Sequence, residues 1–363
     1  MNKISGIWNR VERSLFPHLQ ECLPEMTAKH RDLVLVLETI RIEDYVEPSW
    51  LQWLGRKRTN RQAIARAFVA KALYNDSTTK SFLERLRTDE SLRRICGWER
   101  RGLIPSESTF SRAFAEFAGT SLTETVHESC VKDYLGDEPV WHVSRDSTQI
   151  DGREKPVPKP AKEAKPKYRV GRPKKGEDRP KPEPTRIEQQ INQSYAEAIS
   201  QLPVVCDVGT KIDSKGSKRH WVGFKFHVDI GDRGIPLSAV TTSASVHDSQ
   251  VAIPLAKMTA ERVESFYDLM DSAYDAKLIF GFSEELGHVP IINRSERHGK
   301  AEPMEPDRDR RYNNRTTAER FNSRLKDDCG GRMVRVRGKP KVHTHLMFGV
   351  LVIFAQSLLS LAN

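Results

Sequence analysis

The spacing of apolar residues changes once along the chain, and this change constrains the fold more than any other feature. Up to about residue 130, apolar residues recur every three or four positions, as in residues 61–73 and 81–98, which is the period of helices with one buried face. From Val140 the pattern becomes short alternating strands separated by turns and helices. The sequence therefore predicts an all-α N-terminal domain over residues 1–130, followed by an α/β domain over residues 138–363.

The second region is predicted to be a mixed β-sheet with helices on its faces. Its strands are VWHVSRD, ending at Asp146, then HWVGFKFHVDIG and LSAVTTS, joined by the turn GDRGIP, and finally ESFYDLM and HVPIINR. Helical spacing separates and follows the later strands. A hairpin followed by strand–helix–strand units gives a mixed sheet covered by helices. The apolar run 346–355 is about half as long as a membrane span, which predicts a buried core helix.

The segment PSESTFSRAFAEF predicts another N-terminal helix. Ser106 or Ser108 can cap it, and phenylalanines at helical spacing give it an apolar stripe. Arg112 lies near its start on the polar side, where it would suit the DNA-reading helix of a helix-turn-helix. An ordinary amphipathic helix in a bundle is the favoured alternative, because no turn signature accompanies the segment.

Basic residues are concentrated in two segments. The formal net charge is +10, yet residues 153–186 hold 13 Lys and Arg against five Asp and Glu, and residues 294–341 hold 15 against eight. Local positive fields gather phosphates. The pattern therefore favours a nucleic acid over a small acidic metabolite as the partner, while solvated basic tails would give the same composition.

Composition excludes several classes of protein. With 37% hydrophobic and 30% charged side chains, the chain is too polar for a membrane protein. The five cysteines are scattered without a close pair, so neither a zinc ribbon nor a disulfide framework is indicated. The N-terminus lacks the apolar core of a signal peptide, and a reducing, cytoplasmic location is expected.

A basic, proline-rich insertion is predicted after the first strand, over residues 152–200. Residues 153–186, which form most of this insertion, contain eight of the chain's 20 prolines and almost no apolar residues. This composition predicts an extended or disordered segment. Arg172, Lys174 and Lys175 are candidate DNA contacts within it. The tripeptide around Arg172 resembles the core of an AT-hook, whose arginine enters the minor groove of A·T-rich DNA. A nonspecific basic linker is the favoured alternative, and both predict phosphate contact.

Three carboxylates are candidates for catalysis because of where the sheet would place them. Asp146 ends the first strand, Asp271 follows the fourth, and Glu319 lies on the helix after the fifth. Close carboxylates repel each other unless a cation neutralises them. Oxygen ligands select Mg²⁺ or Mn²⁺, of which such a site can hold two. Asp275 is the alternative to Asp271, which is preferred because it directly follows the apolar strand.

The segment YNNRTTAERFNSRLKD places basic and aromatic groups beside Glu319. Tyr312, Arg315, Glu319 and Lys326 fall within one narrow stripe of a single helix. Arginine and lysine beside a metal-bound carboxylate are suited to gripping DNA phosphates, and tyrosine can hydrogen-bond a phosphate or stack. Alone, the stripe fits ordinary ion pairs on a helix; together with the two aspartates it favours a DNA-processing site.

One further acidic residue precedes a predicted helix. His247 and Asp248 lie just before the helical spacing that runs to Val263. Aspartate is a common N-cap, because its carboxylate accepts hydrogen bonds from free backbone N–H groups. A cap is the favoured role of Asp248, and a functional role for the pair is the alternative.

The chain resembles the DDE transposases of bacterial insertion sequences, which have an RNase H-like catalytic fold. Tyr312, Arg315, Glu319 and Lys326 match the tyrosine, arginine, glutamate, lysine signature of that family. The blocks GFKFHVDIGDRGIPLSAVTTSASVHDSQ and MDSAYDA are similar to its hairpin and second-aspartate regions. Residues 56–120 resemble the helical N-terminal domain of the same transposases.

The resemblance implies metal-dependent cleavage at transposon ends, followed by attack of the freed 3′-hydroxyl on target DNA. Asp146, Asp271 and Glu319 would hold the two Mg²⁺ or Mn²⁺ ions, and the other signature residues would hold phosphates. Only 47 residues separate Asp271 from Glu319, which is too few for the β-rich insertion of some relatives. The hairpin chemistry associated with that insertion therefore stays open.

The resemblance also implies partners and a location. Double-stranded DNA is expected, both as terminal inverted repeats and as target, and two transposon ends predict a homodimer or a higher assembly on DNA, with no membrane. The place of action would be the cytoplasm of a bacterium, at its nucleoid. A domesticated DNA-binding protein without catalysis and a host nuclease of the same fold are the alternatives.

Overall fold

The N-terminal part of the chain is helical, as its apolar spacing predicts. The computed structural model describes residues 6, 10–47, 59–158, 183–212, 216–294 and 303–361. The helices before residue 136 are Phe16–Cys22 (α1), Ala28–Ile40 (α2), Arg61–Leu73 (α3), Thr79–Thr88 (α4), Glu90–Cys96 (α5), Glu107–Gly119 (α6) and Leu122–Leu135 (α7). Side chains cap several of them; Asn60, for example, accepts a hydrogen bond from the Ala63 N–H at the start of α3.

Six strands form one mixed sheet. They are Val140–Asp151 (β1), Asp207–Ile212 (β2), Lys218–Ile230 (β3), Pro236–Ser243 (β4), Ser265–Met270 (β5) and Val289–Ile292 (β6). On one side β3 pairs antiparallel with β1; on the other it pairs with β2 through its first half and with β4 through its second. β5 is parallel to β1, and β6 is parallel to β5. The predicted mixed sheet is confirmed.

Helices lie on both faces of this sheet. They are Arg186–Ile191 (α8), Tyr195–Ser200 (α9), Ser249–Ala260 (α10), Lys277–Glu285 (α11), Pro306–Tyr312 (α12), Thr316–Asp327 (α13) and Lys339–Leu359 (α14). Asn322 of α13 bonds to Asp146 of β1, whereas Thr259 of α10 bonds to the carboxylate that holds the neighbouring Arg145. Because successive residues of a strand face opposite sides, α13 and α10 lie on opposite faces.

The first strand is longer than its sequence pattern predicts. It does not end at Asp146 but continues to Asp151, because its second half keeps pairing with β3. The pairing between β1 and β5, in contrast, stops just before Asp146. Its last residue pair is Arg145 of β1 with Met270 of β5. Asp146 therefore lies where the parallel neighbour ends rather than at the end of its own strand.

The insertion after β1 contains structure that its composition did not predict. The prediction of a disordered segment is wrong for α8 and α9, and β2 was not predicted at all. Lys257 of α10 holds α8 in place: its Nζ donates to the carbonyl oxygens of Gln190 and Ile191 at 3.0 and 2.8 Å, groups that a helix C-terminus leaves free. The basic centre of the insertion, residues 159–182, lies outside the described residues.

The helix α6 buries the predicted phenylalanine stripe. Phe110, Phe114 and Phe117 are all buried, as in the helix-bundle alternative. Arg112 is exposed and donates a hydrogen bond to Thr109 of the same helix. The predicted capping by Ser106 or Ser108 is wrong, because no side chain accepts a capping hydrogen bond at this N-terminus.

The longest helix, α14, joins the two halves of the chain. By length and composition it could cross a membrane, but 89% of its most apolar window is buried inside the protein, and the predicted core helix is confirmed. Phe348 packs against Phe68 of α3 and Phe114 of α6, with ring centroids 5.5 and 6.2 Å apart. One continuous hydrophobic core contains residues of the N-terminal helices, the sheet and α14.

A buried ion pair crosses the centre of the sheet. Arg145 of β1 donates two hydrogen bonds, of 2.8 and 2.7 Å, to the carboxylate of Asp229 on β3. The side chains are 2% and 0% exposed. Thr259 donates a third bond to the same carboxylate at 2.7 Å. A buried pair of this kind tolerates the loss of neither partner, because the remaining charge would be left uncompensated.

We expect Gly349→Ala to destabilise the protein. A Cβ at Gly349 would lie 2.8 Å from a methyl carbon of Leu325 and 3.0 Å from the backbone oxygen of Cys329, so α13 and α14 would have to separate. Overpacking of this kind costs about 1–3 kcal/mol, measured by urea unfolding. Gly281→Ala in α11 is the control: nothing lies within 4 Å of its Cβ, so a gain of up to about 1 kcal/mol is expected. Equal effects of both substitutions would contradict the close packing of α13 and α14.

We also expect the stability to fall in mild acid partly because of His127. Its Nε2 donates to the Pro236 carbonyl oxygen at 3.0 Å, and Arg262 donates to its Nδ1 at 3.3 Å. Burial, together with the charge of Arg262, lowers the pKa of His127 to about 3. The unfolded chain binds this proton from about pH 6.5 downward and the folded chain does not, which costs about 2 kcal/mol by pH 5.

The measurement is the free energy of unfolding between pH 7.5 and 5 for wild type and His127→Gln. Glutamine keeps one donor and one acceptor but does not titrate. The variant should lose less stability on acidification, whereas the two proteins should show parallel behaviour above pH 7. Curves that stay parallel down to pH 5 would show that His127 contributes nothing to the acid sensitivity.

Candidate active site

Asp146 and Asp271 come together where β5 ends. Asp146 follows the last residue of β1 that pairs with β5, and Asp271 directly follows β5 itself. Burial raises the pKa of Asp146 to about 6, and the negative charges of Asp271 and Asp248 add to the rise. Burial and Asp248 likewise raise the pKa of Asp271. These carboxylates therefore share a poorly hydrated site in which burial and neighbouring negative charges disfavour the ionised form.

The surroundings of Asp271 and Asp275 differ. Asp271 Oδ1 accepts a hydrogen bond from the Ala273 N–H at 2.9 Å, which holds its carboxylate at the start of a short 3₁₀ turn. Asp275 forms an ion pair with Arg294 at 3.2 Å. The geometry thus supports Asp271, the residue preferred from the sequence, as the neighbour of Asp146.

Asp248 is a third carboxylate of this cluster, and the sequence analysis missed its role. It stands at the N-cap position of α10, but its side chain accepts no capping hydrogen bond, so the predicted cap is wrong. Its Oδ1 instead accepts a hydrogen bond from Lys225 Nζ of β3 at 2.9 Å. Burial works to raise the pKa of Asp248, but the neighbouring His227 and Lys225 outweigh it and lower that pKa. A lysine within the apolar strand GFKFHV was the sequence signal for such a partner.

A short 3₁₀ turn joins α12 to α13, the helix that carries Glu319. α12 ends at Tyr312 and a 3₁₀ turn covers Asn313–Arg315 before α13 begins, with helical dihedral angles kept through the turn. The helix predicted from about Asn314 to Lys326 is therefore present, with one tightened turn at its start. The signature residues still lie together: the Arg315 guanidinium is 5.6 Å from the ring centroid of Tyr312, and its Nη2 is 2.5 Å from Oε1 of Glu319.

Glu319 forms an ion pair with Arg315 and does not join the aspartates. Its side chain is 54% exposed. Among the residues that the structure describes, no three His, Cys, Asp or Glu side chains lie close enough together to hold a metal ion. Burial works to lower the pKa of Arg315, but the nearby Tyr312, Glu319 and Asp146 outweigh it and raise that pKa. The structure therefore brings Asp146 and Asp271 together, with Glu319 linked to them through an arginine.

Asn322, one turn after Glu319, connects α13 to β1 and was not among the residues selected from the sequence. Its Nδ2 donates to Asp146 Oδ2 at 3.0 Å. The side chain is 7% exposed, and its Oδ1 has no hydrogen-bond partner. The three-residue spacing from Glu319 puts Asn322 on the same helix face, which was the available signal.

Buried polar atoms without partners surround the aspartates. They include the Tyr274 hydroxyl and the Oδ1 of Asn322. The pKa of Tyr274 is raised well above its usual value by burial and by nearby carboxylates, among them Asp146 and Asp271. Folded proteins leave few such atoms unsatisfied, so these atoms are available to bond water or a bound group.

The donor set fits a hydrated divalent cation. Asp146 and Asp271 offer carboxylate oxygens whose negative charge is not compensated by an ion pair, and hard oxygen ligands are those that Mg²⁺ and Mn²⁺ prefer. Unsatisfied polar atoms beside them suit metal-bound water. Glu319 could complete the ligand set once its carboxylate leaves Arg315.

The remaining predicted DNA contacts do not join this cluster. Lys326 lies seven residues after Glu319, which is about 10 Å along α13. Burial lowers its pKa, as does the charge of Arg332. Arg172, Lys174 and Lys175 lie outside the described residues.

Two family models match the chain. One, a transposase DDE domain, matches residues 200–355, and the other, a transposase domain (DUF772), matches residues 19–116. Comparisons with curated proteins and with solved structures gave no match. The first match begins after the insertion, so Asp146 lies outside it and reaches the site through the sheet. The sheet and its flanking helices form the RNase H-like fold that the resemblance implied, and the matches show that residues 19–116 and 200–355 are transposase domains, the second of the DDE type.

Proposed function

We propose that the protein cleaves DNA at the ends of a transposable element and joins the freed 3′-hydroxyl to target DNA, with Asp146, Asp271 and Glu319 as ligands of divalent cations. The pair of buried carboxylates at the end of β5 carries this proposal. Burial raises the pKa of both aspartates, and Asp248 adds to both shifts, a condition that costs stability and is typical of functional sites. The helix with Glu319 faces the same side of the sheet.

The residues of the chain position the reacting groups. Two bound divalent cations would supply activation of the attacking oxygen and stabilisation of the leaving oxygen. Asn322 orients Asp146 by donating to its Oδ2 at 3.0 Å. Arg315, stacked near Tyr312, is the cation nearest to Glu319, and it is suited to a DNA phosphate because its planar group can donate two parallel bonds.

The ion pair of Asp248 with Lys225 limits the charge of the site. Without Lys225 a third uncompensated carboxylate would stand beside Asp146 and Asp271, since all three interact electrostatically. With Lys225 at 2.9 Å from Asp248, only the two proposed ligands on the sheet keep an excess of negative charge. The ion pair with Lys225 thus gives Asp248 a structural role that differs from that of the two proposed metal ligands.

Further DNA contacts and the setting belong to the same proposal. Lys326, Arg172, Lys174 and Lys175 would contact phosphates without reading sequence. Two transposon ends, each an inverted repeat, would be held by a homodimer or a higher assembly. The reaction would take place at the nucleoid, in the cytoplasm of a bacterium.

We expect Asp271→Asn to abolish cleavage while DNA binding persists. The substrate is a DNA fragment that includes the sequences flanking the reading frame, incubated with Mg²⁺. Loss of a proposed ligand should lower the cleavage rate by at least about 10³-fold, whereas a gel-shift assay should show that binding is retained. Asp146→Asn and Glu319→Gln should behave alike.

Asp275→Asn is the matched control, since Asp275 pairs with Arg294 and should tolerate the change with its cleavage rate kept within a few-fold. Undiminished cleavage by Asp271→Asn would refute the assignment of the ligand. The products separate the alternatives: a nuclease would hydrolyse DNA without joining ends, and an inactive DNA-binding protein would bind without cutting.

We expect Asn322→Ala to weaken the use of Mg²⁺ without weakening DNA binding. Residues that orient a metal ligand typically cost about 10- to 100-fold in metal affinity or activity when they are lost. The Mg²⁺ concentration for half-maximal cleavage should rise accordingly. Ser323→Ala, an exposed neighbour bonded to Asp327 of the same helix, should leave that concentration as in wild type. A fall in rate with no change in the Mg²⁺ requirement would argue against an orienting role.

A further inference from the structure

A deep cavity of about 550 Å³ lies where the N-terminal helices meet the segment between α13 and α14. Its floor includes Phe68, Phe114 and Phe348, which also belong to the hydrophobic core. Its polar walls come from the first residues of α4, α6 and α14 and from residues 335–337. We refer to it as the basic cavity, for the charges that line it.

The basic cavity carries an excess of positive charge. Five cationic side chains line it: Lys71, Arg153, Arg335, Arg337 and Lys341. Within the described ranges none of the five has a carboxylate oxygen within 4.0 Å as an ion-pair partner.

The acidic groups of the cavity do not cancel this excess. Only Asp76 and Glu107 line it among the acidic residues, and Asp76 is already paired with Arg85 at 2.8 Å. Uncompensated cations gathered in one concavity attract anions more strongly than the same charges spread over a surface.

Lys71 is the cation that most requires a partner. It lies in α3 and is largely enclosed, and burial lowers its pKa to about 8, although the charge of Asp76 opposes the shift. No hydrogen bond or ion pair of its Nζ occurs within the described part of the chain. An ammonium group that has lost water without gaining a partner is stabilised by an anion.

Three helix N-termini add to the positive potential. Thr79 begins α4, Glu107 begins α6, and Lys341 lies in the first turn of α14, and all three residues line the cavity. The helices have 10, 13 and 21 residues. Helix N-termini present free N–H groups and a partial positive charge, which favour phosphate.

The basic cavity follows the catalytic helix directly. Cys329 and Gly330, just beyond the end of α13, line it. Eight helical steps lead from Glu319 to the end of α13 at Asp327, a rise of about 12 Å, which corresponds to three or four phosphates of one strand at a rise of about 3.4 Å each. Lys326 lies between them along the same helix.

We propose that the basic cavity binds phosphate groups of the DNA strand that passes the catalytic carboxylates. The inference rests on the proposed function and adds a second DNA site, formed jointly by the N-terminal helices and the start of α14. The ligand chemistry is a phosphate ester with an apolar neighbour, as the cations and the phenylalanine floor require. A free nucleotide shares that chemistry and is distinguished by the experiment.

The test is the salt dependence of DNA binding by the full chain, measured by fluorescence anisotropy in EDTA so that no cleavage occurs. The variant is Arg335→Gln with Lys341→Gln; both side chains are exposed at the rim. Each lost phosphate contact should reduce the slope of log K against log salt by about 0.9, so a loss of one to two units is expected, together with weaker binding. Lys71→Met should show the same direction of change.

The matched control is Arg100→Gln with Arg101→Gln, which removes two exposed charges that do not line the cavity. A smaller effect of this control supports the proposal, and an equal effect overturns it, because it would show a response to net charge alone. Thermal unfolding of each variant checks that the fold is retained.

Free nucleotides form a second arm of the experiment. If dAMP raises the Tm of wild type but not of Lys71→Met, and DNA does not compete, the occupant is a free phosphate ester and the DNA assignment is overturned. Competition by DNA supports it. A wild type that cleaves DNA while the rim variant binds normally would refute the cavity site alone, whereas a wild type that neither binds nor cleaves DNA would refute the proposed function.

Discussion

The position of Asp146 in the candidate active site depends on the ion pair between Arg145 and Asp229. Because successive residues of a strand face opposite sides, holding Arg145 against α10 directs Asp146 toward α13. A slip of β1 by one residue would bury Asp146 where Arg145 now lies and expose the arginine. The bidentate bonds and the third bond from Thr259 offset the desolvation of the two charges, so the pair selects one register of β1 over its neighbours.

The two faces of the sheet handle charge differently. Beneath β1 each buried charge has a partner: Arg145 binds Asp229, and Asp268 accepts hydrogen bonds from Ser283 and lies 3.1 Å from His288. On the face toward α13, Asp146 and Asp271 accept hydrogen bonds from Asn322 and from the Ala273 N–H, but neither forms an ion pair with a described residue, and their pKa values rise. Rigidity on one face thus permits an unsatisfied, reactive arrangement on the other.

The parts of the site that sequence could predict are those marked by local pattern. Asp146 and Asp271 each follow a short apolar run, although Asp146 lies inside β1, and the helical spacing identifies Glu319. The bond from Asn322 to Asp146 and the ion pair of Lys225 with Asp248 could not be predicted. The partners lie 176 and 23 residues apart in the chain, and no local pattern shows which side chains will meet.

In the insertion, the proline-rich composition hid local helix signals. It predicted disorder through residue 200, yet Thr185 and Glu188, and again Ser194 and Glu197, form capping boxes at the starts of α8 and α9.

The position of α14 near the end of the sequence affects the order in which the protein can fold. The core around Phe348 cannot close until residues 339–359 have left the ribosome, so the helices made first must wait, half covered, for the helix made late. A nascent chain stopped before this point would expose their apolar faces and be a substrate for chaperones and proteases rather than an independent DNA-binding fragment.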